Sequence, residues 1–307
     1  MLRNTIETSD GYEYADPMNK LMIALLCGFG LVALAGAGVY FASEAVLRDV
    51  SYDAPFDHPI PTDAASIERG RYIARTRGCF GCHGQQLQGM NFDEQWDWPA
   101  RAIAPNLARY AREHDIAALE AAIRQGISAE GRAMLSMPSF NFARLSDADL
   151  ADLIAFLRSA PMIDLDLPSP RLGWSVRWEL LTVPNLHVED WADHVPELTH
   201  DHQRKPALAR GEYLAMTTCN ECHGLDLRGD TLIMGTPDLA IVRAIDRDTF
   251  ETIIRTGRGL GDRHLGLMSL VAPDRFSEMT EQDVDDLYHF LSTLGTEPAM
   301  QDVFWRP

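Results

Sequence analysis

Basic residues are scarce in this sequence of 307 residues. It contains 27 lysines and arginines against 45 aspartates and glutamates, so its formal net charge is −18. Because binding to a phosphate backbone needs a basic face, this balance argues against a nucleic acid partner. An acidic surface suits the steering of a basic partner. It equally suits a solvated surface with no such role.

Several signatures of catalytic sites are also missing. The sequence has no glycine-rich phosphate loop, no general base beside a nucleophile and no ligand cluster for a second kind of metal. It also lacks the polar and apolar alternation typical of a half-buried strand. We therefore predict a mostly helical protein without a nucleotide site.

Only one long hydrophobic run is present. Residues 21–42 contain no charged side chain, and about 20 apolar residues suffice to cross a bilayer core as a helix. A cleaved signal peptide is the alternative, although its apolar region usually has only about 7–15 residues behind a short basic start. Here residues 1–20 precede a longer run. We therefore expect an uncleaved membrane anchor at 21–42 after a tail at 1–20.

Cysteine is rare too, but four of the five cysteines form one pattern that occurs twice. Residues 79–83 read CFGCH and residues 219–223 read CNECH. C-x-x-C-H is the attachment signature of a c-type haem. The two thiols add to the vinyl groups of the porphyrin, and the following histidine is placed under the iron as its proximal ligand. We therefore predict two covalently bound haem c groups, with attachment and axial ligation by Cys79, Cys82, His83, Cys219, Cys222 and His223.

Other uses of these cysteines fit the spacing less well. Zinc ribbons separate their cysteine pairs by about 15–20 residues, whereas Cys82 and Cys219 are 137 positions apart. Disulfides are permitted in an oxidising compartment, but the haem interpretation uses all four thiols. The remaining Cys27 lies in the apolar run and fits a small hydrophobic residue. Since haem attachment takes place on the outer face of the membrane, the chain after residue 42 is expected in the periplasm and the tail in the cytoplasm.

The two patterns belong to a longer internal repeat. Each copy has an RG-x-Y segment about ten residues before its first cysteine, a proline loop after the histidine, a helical stretch ending in Ile-Arg-x-Gly, and a closing helix. In the closing helices, Ser146 and Thr280 are placed as N-caps with an aspartate three residues later, a capping-box arrangement. The matching segments are 69–74 and 210–215, 104–107 and 236–239, and 123–126 and 254–257.

This order of elements resembles the class I cytochrome c fold in both halves, over 66–159 and 207–295. The resemblance implies an all-α protein: an N-terminal transmembrane helix followed by two cytochrome c-like helical domains in tandem. It also implies that the early and closing helices of each half cross at a glycine, Gly70 or Gly211. In that family the loop proline offers its carbonyl to Nδ1 of the proximal histidine, a role that falls here to Pro105 and Pro237.

A methionine in each half is predicted to complete the coordination of the iron. Met137 lies 11 residues after Gly126, and Met268 lies 11 residues after Gly257, on the loop before the closing helix. A thioether there gives His/Met coordination, which raises the reduction potential of the haem relative to bis-histidine ligation. The competing candidates are Met134 in the first half and Met279 and His264 in the second.

The remaining segments connect or flank these units. Residues 43–65 are rich in proline and aspartate and are predicted to be a spacer, and 296–307 form a C-terminal tail. Residues 160–206 are longer than a simple linker and contain three tryptophans. We expect this linker to pack against the two domains, with contact to a partner protein as the alternative.

The function predicted from these features is electron transfer. The chain resembles anchored dihaem cytochromes of the bacterial inner membrane that serve respiratory oxidases or periplasmic alcohol, aldehyde or sugar dehydrogenases. Its partners would be other redox proteins, although the dehydrogenase subunits often carry three such domains and this chain has two. The alternative is a dihaem redox enzyme of the peroxidase or thiosulfate-oxidising type, which needs an open iron position. A structural anchor that recruits other proteins would not explain two haem sites.

Overall fold

Helices account for most of the backbone that the computed structural model describes, which comprises residues 17–51, 56–92, 100–183, 191–229 and 235–295. The tail before residue 17 and the C-terminal tail 296–307 lie outside the described residues. The helices are α1 Pro17–Arg48, α2 Ala64–Thr76, α3 Cys79–His83, α4 Leu107–Glu113, α5 Ile116–Glu120, α6 Asp147–Ser159, α7 Trp174–Thr182, α8 Pro206–Met216, α9 Asn220–His223, α10 Arg247–Thr256, α11 Met268–Arg275 and α12 Glu281–Leu291.

The strands of the described part are two residues long and form three antiparallel pairs. These pairs are β1 Met90–Asn91 with β3 Ile103–Ala104, β2 Ala100–Arg101 with β4 Arg171–Leu172, and β5 Arg258–Gly259 with β6 Arg263–His264. Single 3-10 turns occur at Ser139–Phe142, Leu239–Ala244 and Leu260–Asp262, and a π turn at Ala121–Gln125 continues α5. The predicted all-α class is confirmed.

Each half is organised around the crossing of its first and last helices. A Cβ atom on Gly70 of α2 would lie 2.0 Å from the backbone oxygen of Asp152 in α6. A Cβ atom on Gly211 of α8 would lie 2.0 Å from the backbone oxygen of Asp286 in α12. Real side chains do not approach backbone this closely, so the crossing requires glycine at both positions.

The anchor helix is longer than the apolar run and is joined to the first half. α1 ends at Arg48, so residues 43–48 of the predicted spacer belong to the anchor helix. Leu47 is buried, and its carbonyl accepts a hydrogen bond from the N–H of Ala133 at 2.8 Å. Farther along, Phe56 and Ile60 pack against the core of the first half. Leu47, Phe56 and Ile60 of this segment are therefore covered by the first half.

The two halves share a continuous interior. Phe140, in the loop of the first half, is buried in the core of the second half. Its ring lies 5.6 Å from that of Trp191, which comes from the linker and is also buried. Trp174 and Trp178 of the same linker are instead mostly exposed, at 62% and 58%. The linker thus packs on the domains through one of its three tryptophans and presents the other two on α7.

Candidate haem-binding site

The first C-x-x-C-H segment folds as the short helix α3, and its histidine points into the domain. His83 is buried, and its Nδ1 lies 2.8 Å from the carbonyl oxygen of Pro105. In the second copy, Nδ1 of His223 lies 2.9 Å from the carbonyl oxygen of Pro237. Since a carbonyl only accepts, Nδ1 carries the proton in each ring, and the Nε2 lone pair remains for a metal.

The electrostatic state of these histidines suits ligation. Burial lowers the pKa of His83 and of His223 below the usual value, and the hydrogen bonds to the proline carbonyls oppose this only in part. Both rings are therefore neutral at neutral pH. A neutral imidazole with one fixed N–H is the form that binds iron.

The loop that places each proline has the same backbone hydrogen bonds in both halves. In the first half, the N–H of Gly89 bonds to His83 O at 2.8 Å, and the N–H of Leu107 bonds to Leu87 O at 2.9 Å. The corresponding distances in the second half are 2.7 Å for Gly229 to His223 and 2.9 Å for Leu239 to Leu227. Leu87 and Leu227 both have positive φ, at 59° and 65°, which is rare for leucine. The repeat therefore extends to a strained turn, and this turn brings the proline to the histidine.

A cavity of about 650 Å³ opens beside the first C-x-x-C-H segment. Cys79, Cys82 and His83 line one part of its wall, and Met134 and Met137 line another. Pro105 is also in the wall. The structure thus brings together the residues that the sequence predicts for the first haem, and it brings the rival Met134 to the same cavity.

The charge of this cavity is opposite to that of the chain. Two glutamates, Glu130 and Glu221, and seven arginines line it. Arg77 is fully buried, and its guanidinium donates to the hydroxyls of Thr76 at 2.7 Å and Thr217 at 3.0 Å. A buried cation beside neutral partners is costly unless an anion offsets it, and a porphyrin carries carboxylates. The cavity therefore fits an apolar macrocycle with anionic edges. The seven arginines that line this cavity are Arg48, Arg77, Arg101, Arg132, Arg171, Arg177 and Arg275.

The candidate ligands of the second half occupy different environments. Met268 begins α11 and is partly buried against the second core. Met279 is buried in that core directly before the cap Thr280, as expected of a packing residue. His264 is exposed, and its Nδ1 accepts the N–H of Gly266 at 3.1 Å. Of these three, His264 is therefore the one turned toward solvent.

An ion pair stands between the two C-x-x-C-H segments. Arg275 of α11 pairs with Glu221, which lies between the two cysteines of the second segment, at 2.6 Å. The same guanidinium covers Gly78, where a Cβ atom would lie 2.2 Å from its Cζ. Both side chains of the pair are only 11% exposed. One guanidinium therefore connects the segment that precedes Cys79 to the segment that contains Glu221.

Burial disfavours the charged form of all four free thiols in the two segments. Burial raises the pKa of Cys79, Cys219 and Cys222 to about 12 and also raises that of Cys82. The positive charge of Arg275 opposes the shift at all four sulfurs, which places it near both pairs. Among the described residues, no group of three or more acidic, histidine and cysteine side chains forms a metal cluster.

A contact that the sequence did not predict joins the halves through their helix caps. The hydroxyl of Tyr72 accepts the N–H of Thr280 at 3.3 Å and donates to Asp283 at 2.6 Å. In the reciprocal contact, Tyr213 accepts the N–H of Ser146 at 3.3 Å and donates to Asp149 at 2.5 Å. Each tyrosine thus inserts between the N-cap and the aspartate of the other half.

The capping boxes are therefore only half formed within their own helices. The N–H of Asp149 bonds to Ser146 Oγ at 3.2 Å, and that of Asp283 bonds to Thr280 Oγ1 at 3.1 Å. The return bond of a capping box is made through the foreign tyrosine instead. The sequence feature that could have indicated this contact is the aspartate three residues after each N-cap, where a capping box usually has the longer glutamate.

Comparison with known proteins agrees with this architecture. The family model described as cytochrome c matches residues 67–161 and 208–295. The chain belongs to the cytochrome c family. Members of this family bind haem c covalently, and the cavity beside Cys79 and Cys82 has the lining that such a group needs.

Several relatives are cytochrome subunits of dehydrogenases. The chain is 30% identical over 206 residues to the cytochrome c subunit of the quinone alcohol dehydrogenase of Gluconobacter oxydans, covering 63% of this chain and 42% of the relative. It is 25% identical over 300 residues to the gluconate 2-dehydrogenase cytochrome c subunit of Pantoea cypripedii, covering 84% and 66%. The fructose dehydrogenase cytochrome subunit of Gluconobacter japonicus is 24% identical over 268 residues, covering 77% and 54%. This cytochrome c therefore spans less than two thirds of the length of the first and third of these relatives and about two thirds of the second.

Proposed function

We propose that this cytochrome c carries two haem groups and passes single electrons within a membrane-bound dehydrogenase complex. Haem 1 would be attached to Cys79 and Cys82, and haem 2 to Cys219 and Cys222. Bound haem supplies one-electron chemistry at its iron. The observation that carries the proposal is the ion pair between Arg275 and Glu221, which joins two otherwise equivalent C-x-x-C-H segments.

The position of the ion pair supports a relay between two adjacent centres. Arg275 lines the cavity beside Cys82 and pairs with a residue between the cysteines of the second segment. The buried Arg77 likewise lines this cavity and donates to Thr217, two residues before Cys219. Single side chains therefore span the distance between the two attachment segments. The guanidinium of Arg77 bonds to hydroxyls, so it brings a positive charge to this boundary, and such a charge favours the reduced, less positive state of both centres.

The anchor helix approaches one of the two sites. Leu47 and Arg48, at the end of α1, line the cavity beside Cys79 together with Arg171 and Leu172 of β4. α1 is long and apolar enough to cross a membrane, from Met18 to Arg48. We infer that haem 1 is the membrane-proximal centre and that haem 2 faces away from the membrane. Electrons would then pass between a dehydrogenase subunit on the periplasmic side and an acceptor in the inner membrane.

The axial residues have defined roles in this proposal. His83 and His223 are oriented by the carbonyls of Pro105 and Pro237, which fixes the tautomer. Met137 and Met268 would each supply a thioether ligand to a haem, which would raise the reduction potential relative to bis-histidine ligation. Two haems held in this way would leave no coordination site for a substrate, and the protein would act as a carrier.

The haem count is tested first. Full-length protein is expressed in a host that matures c-type cytochromes, and covalently bound haem per polypeptide is measured by pyridine haemochrome and intact mass. We expect two haems in the wild type, and one each in the double variants Cys79→Ala/Cys82→Ala and Cys219→Ala/Cys222→Ala. One haem in the wild type would contradict the proposal.

The relay is tested in the intact complex. Mild purification from the native membrane and mass spectrometry identify the partner subunits, and substrate-driven reduction is then followed at each haem. We expect the variant that lacks haem 2 to retain assembly but to lose reduction of haem 1. Undiminished reduction of haem 1 in that variant would show that electrons do not pass between the two centres.

The enzymatic alternative makes a different spectroscopic prediction. A Met–Fe(III) charge-transfer band in the near infrared is expected for both oxidised haems. If one haem lacked the band and the protein turned over peroxide or thiosulfate, the carrier assignment would be wrong.

A further inference from the structure

The helix α7 has two sides of opposite character. Val176, Arg177 and Leu180 face inward and are buried. Trp174, Trp178 and Leu181 lie on the outer side, at 62%, 58% and 36% exposure. Their spacing of four and three residues places them on one face of the helix. We call these three residues the tryptophan face.

The inward side of α7 is fixed to the end of the anchor helix. Val176 and Leu180 form a buried apolar cluster with Leu47 of α1 and with two residues of the loop that leads to Met137. Arg177 donates to Ser43 Oγ at 2.8 Å and pairs with Glu44 at 2.9 Å. The orientation of the tryptophan face relative to α1 is therefore set by buried contacts.

Contacts between α7 and α1 also show where α7 lies relative to the apolar run of the anchor helix. Trp174 reaches Gly36, where a Cβ atom would lie 3.8 Å from its indole. Arg177 lies over the ring of Tyr40 at 4.2 Å, so α7 runs beside α1 in the same direction. Gly36 is six residues inside the end of the apolar run at Ala42, which corresponds to about 9 Å along a helix. Trp174 is therefore level with the apolar run, and Trp178 is level with its outer end.

We propose that the tryptophan face is a membrane-interface contact that inserts among lipid headgroups beside α1. The inference rests on the proposed role of α1 as a membrane anchor. Tryptophan favours this zone because its ring is apolar and its N–H reaches water. Trp174 of this face meets α1 at Gly36, two residues after Leu34, and Leu31, Val32 and Leu34 of α1 are each about 70% exposed. The contact would hold the loop that carries Met137, and with it haem 1, at a fixed height above the bilayer.

The test uses the full-length holoprotein in proteoliposomes of phosphatidylcholine and phosphatidylglycerol. In a Cys27→Ser background, a single cysteine is introduced by Trp174→Cys, Trp178→Cys or, as a control, Ile241→Cys. Ile241 has a similar exposure of 57% but lies in the second half, away from α7. Alkylation by a membrane-impermeant sulfonated maleimide is followed by intact mass, and cross-linking to a diazirine-bearing phospholipid is mapped by peptide mass.

We expect alkylation at positions 174 and 178 to be several-fold slower than at 241, with lipid cross-links on the peptide that contains α7. Equal rates at all three positions without such cross-links would overturn the proposal. Protection seen only in the native complex, and absent in proteoliposomes, would identify a protein partner and would also overturn it. The native Cys27 tests the anchor separately: rapid alkylation there would reject a membrane-spanning α1, whereas a protected Cys27 with reactive positions 174 and 178 would reject this inference alone.

Discussion

The hydroxyl of Tyr72 donates a hydrogen bond to the carboxylate of Asp283 at 2.6 Å, from the first helix of one half to the last helix of the other. Tyr213 and Asp149 repeat the contact in the opposite sense at 2.5 Å. The two bonds are related by the internal repeat, so the halves meet through equivalent surfaces. The interface thus fixes the relative position of the two C-x-x-C-H segments, on which a relay depends.

Replacing Tyr72 by phenylalanine is expected to lower the free energy of unfolding by about 1.5–3 kcal/mol, the range for a hydrogen bond to a charged group. The variant leaves the buried Asp283 with Arg210 as its remaining charged hydrogen-bond partner. Chemical denaturation of the holoprotein in detergent measures the change. Tyr288→Phe is the matched control, because its hydroxyl donates to a carbonyl within the same half, and we expect a loss of only about 0.5–1.5 kcal/mol. Equal losses in both variants would contradict a special role for the bond between the halves.

The interface also predicts sensitivity to alkaline pH. Burial, aided by the hydrogen bond to Asp283, raises the pKa of Tyr72 from 10.0 to about 12. A folded-state pKa above the unfolded value means that the stabilisation is complete below pH 10 and is lost as the pH rises toward 12. The stability difference between wild type and Tyr72→Phe should therefore shrink across this interval. Denaturation curves at several pH values measure it, and a constant difference would show that the phenol does not titrate differently in the folded state.

The choice between methionine ligands can be made by paired substitutions. Met137→Leu is expected to lower the potential of haem 1 and to open its iron to carbon monoxide, while Met134→Leu should leave both properties unchanged. In the second half, Met268→Ala should lower the potential of haem 2 and open it to carbon monoxide without affecting haem 1. His264→Ala is the control there. Redox titration and difference spectra give the readout, and an effect of Met134→Leu or His264→Ala alone would reassign the ligand.

The helix crossings predict a strong dependence on glycine. Gly70→Ala or Gly211→Ala forces a methyl group against backbone, and overpacking of this kind costs about 1–3 kcal/mol or more. Gly38→Ala is the control, because a Cβ atom there has no neighbour within 4 Å. Thermal unfolding of the holoprotein followed by haem absorbance measures the difference. If Gly70→Ala were as stable as Gly38→Ala, the close crossing of α2 and α6 would be wrong.

Removing the cation of the ion pair between Arg275 and Glu221 is expected to shift both potentials, because Glu221 is then left unpaired. A unit charge acting over roughly 10 Å at an effective dielectric constant of about 20 contributes about 1.7 kcal/mol. Arg275→Gln should therefore lower both midpoint potentials by tens of millivolts, since about 59 mV is a tenfold change for one electron. Arg204→Gln makes the same charge change at a side chain that is 86% exposed and should have little effect. If neither potential shifted, the placement of Arg275 at the boundary between the two haems would be wrong.

The sequence by itself determined the family, the all-α class and the repeat, because these depend on local patterns. A C-x-x-C-H segment and a cap before an apolar face are each specified within a few neighbouring residues, whereas the helix crossing at a glycine was implied by the family resemblance. The ligand assignments of Met137 and Met268 also come from the repeat, and they stay predictions.

Only the tertiary structure decided how distant segments meet. The extension of α1 to Arg48 depends on the burial of Leu47 against a loop more than eighty residues away, and no local pattern encodes that contact. The same holds for Tyr72 and Tyr213, whose hydroxyls bind aspartates of the opposite half. Sequence periodicity indicates which residues share one face of a helix. The partner of a side chain across an interface depends instead on how the folded halves pack.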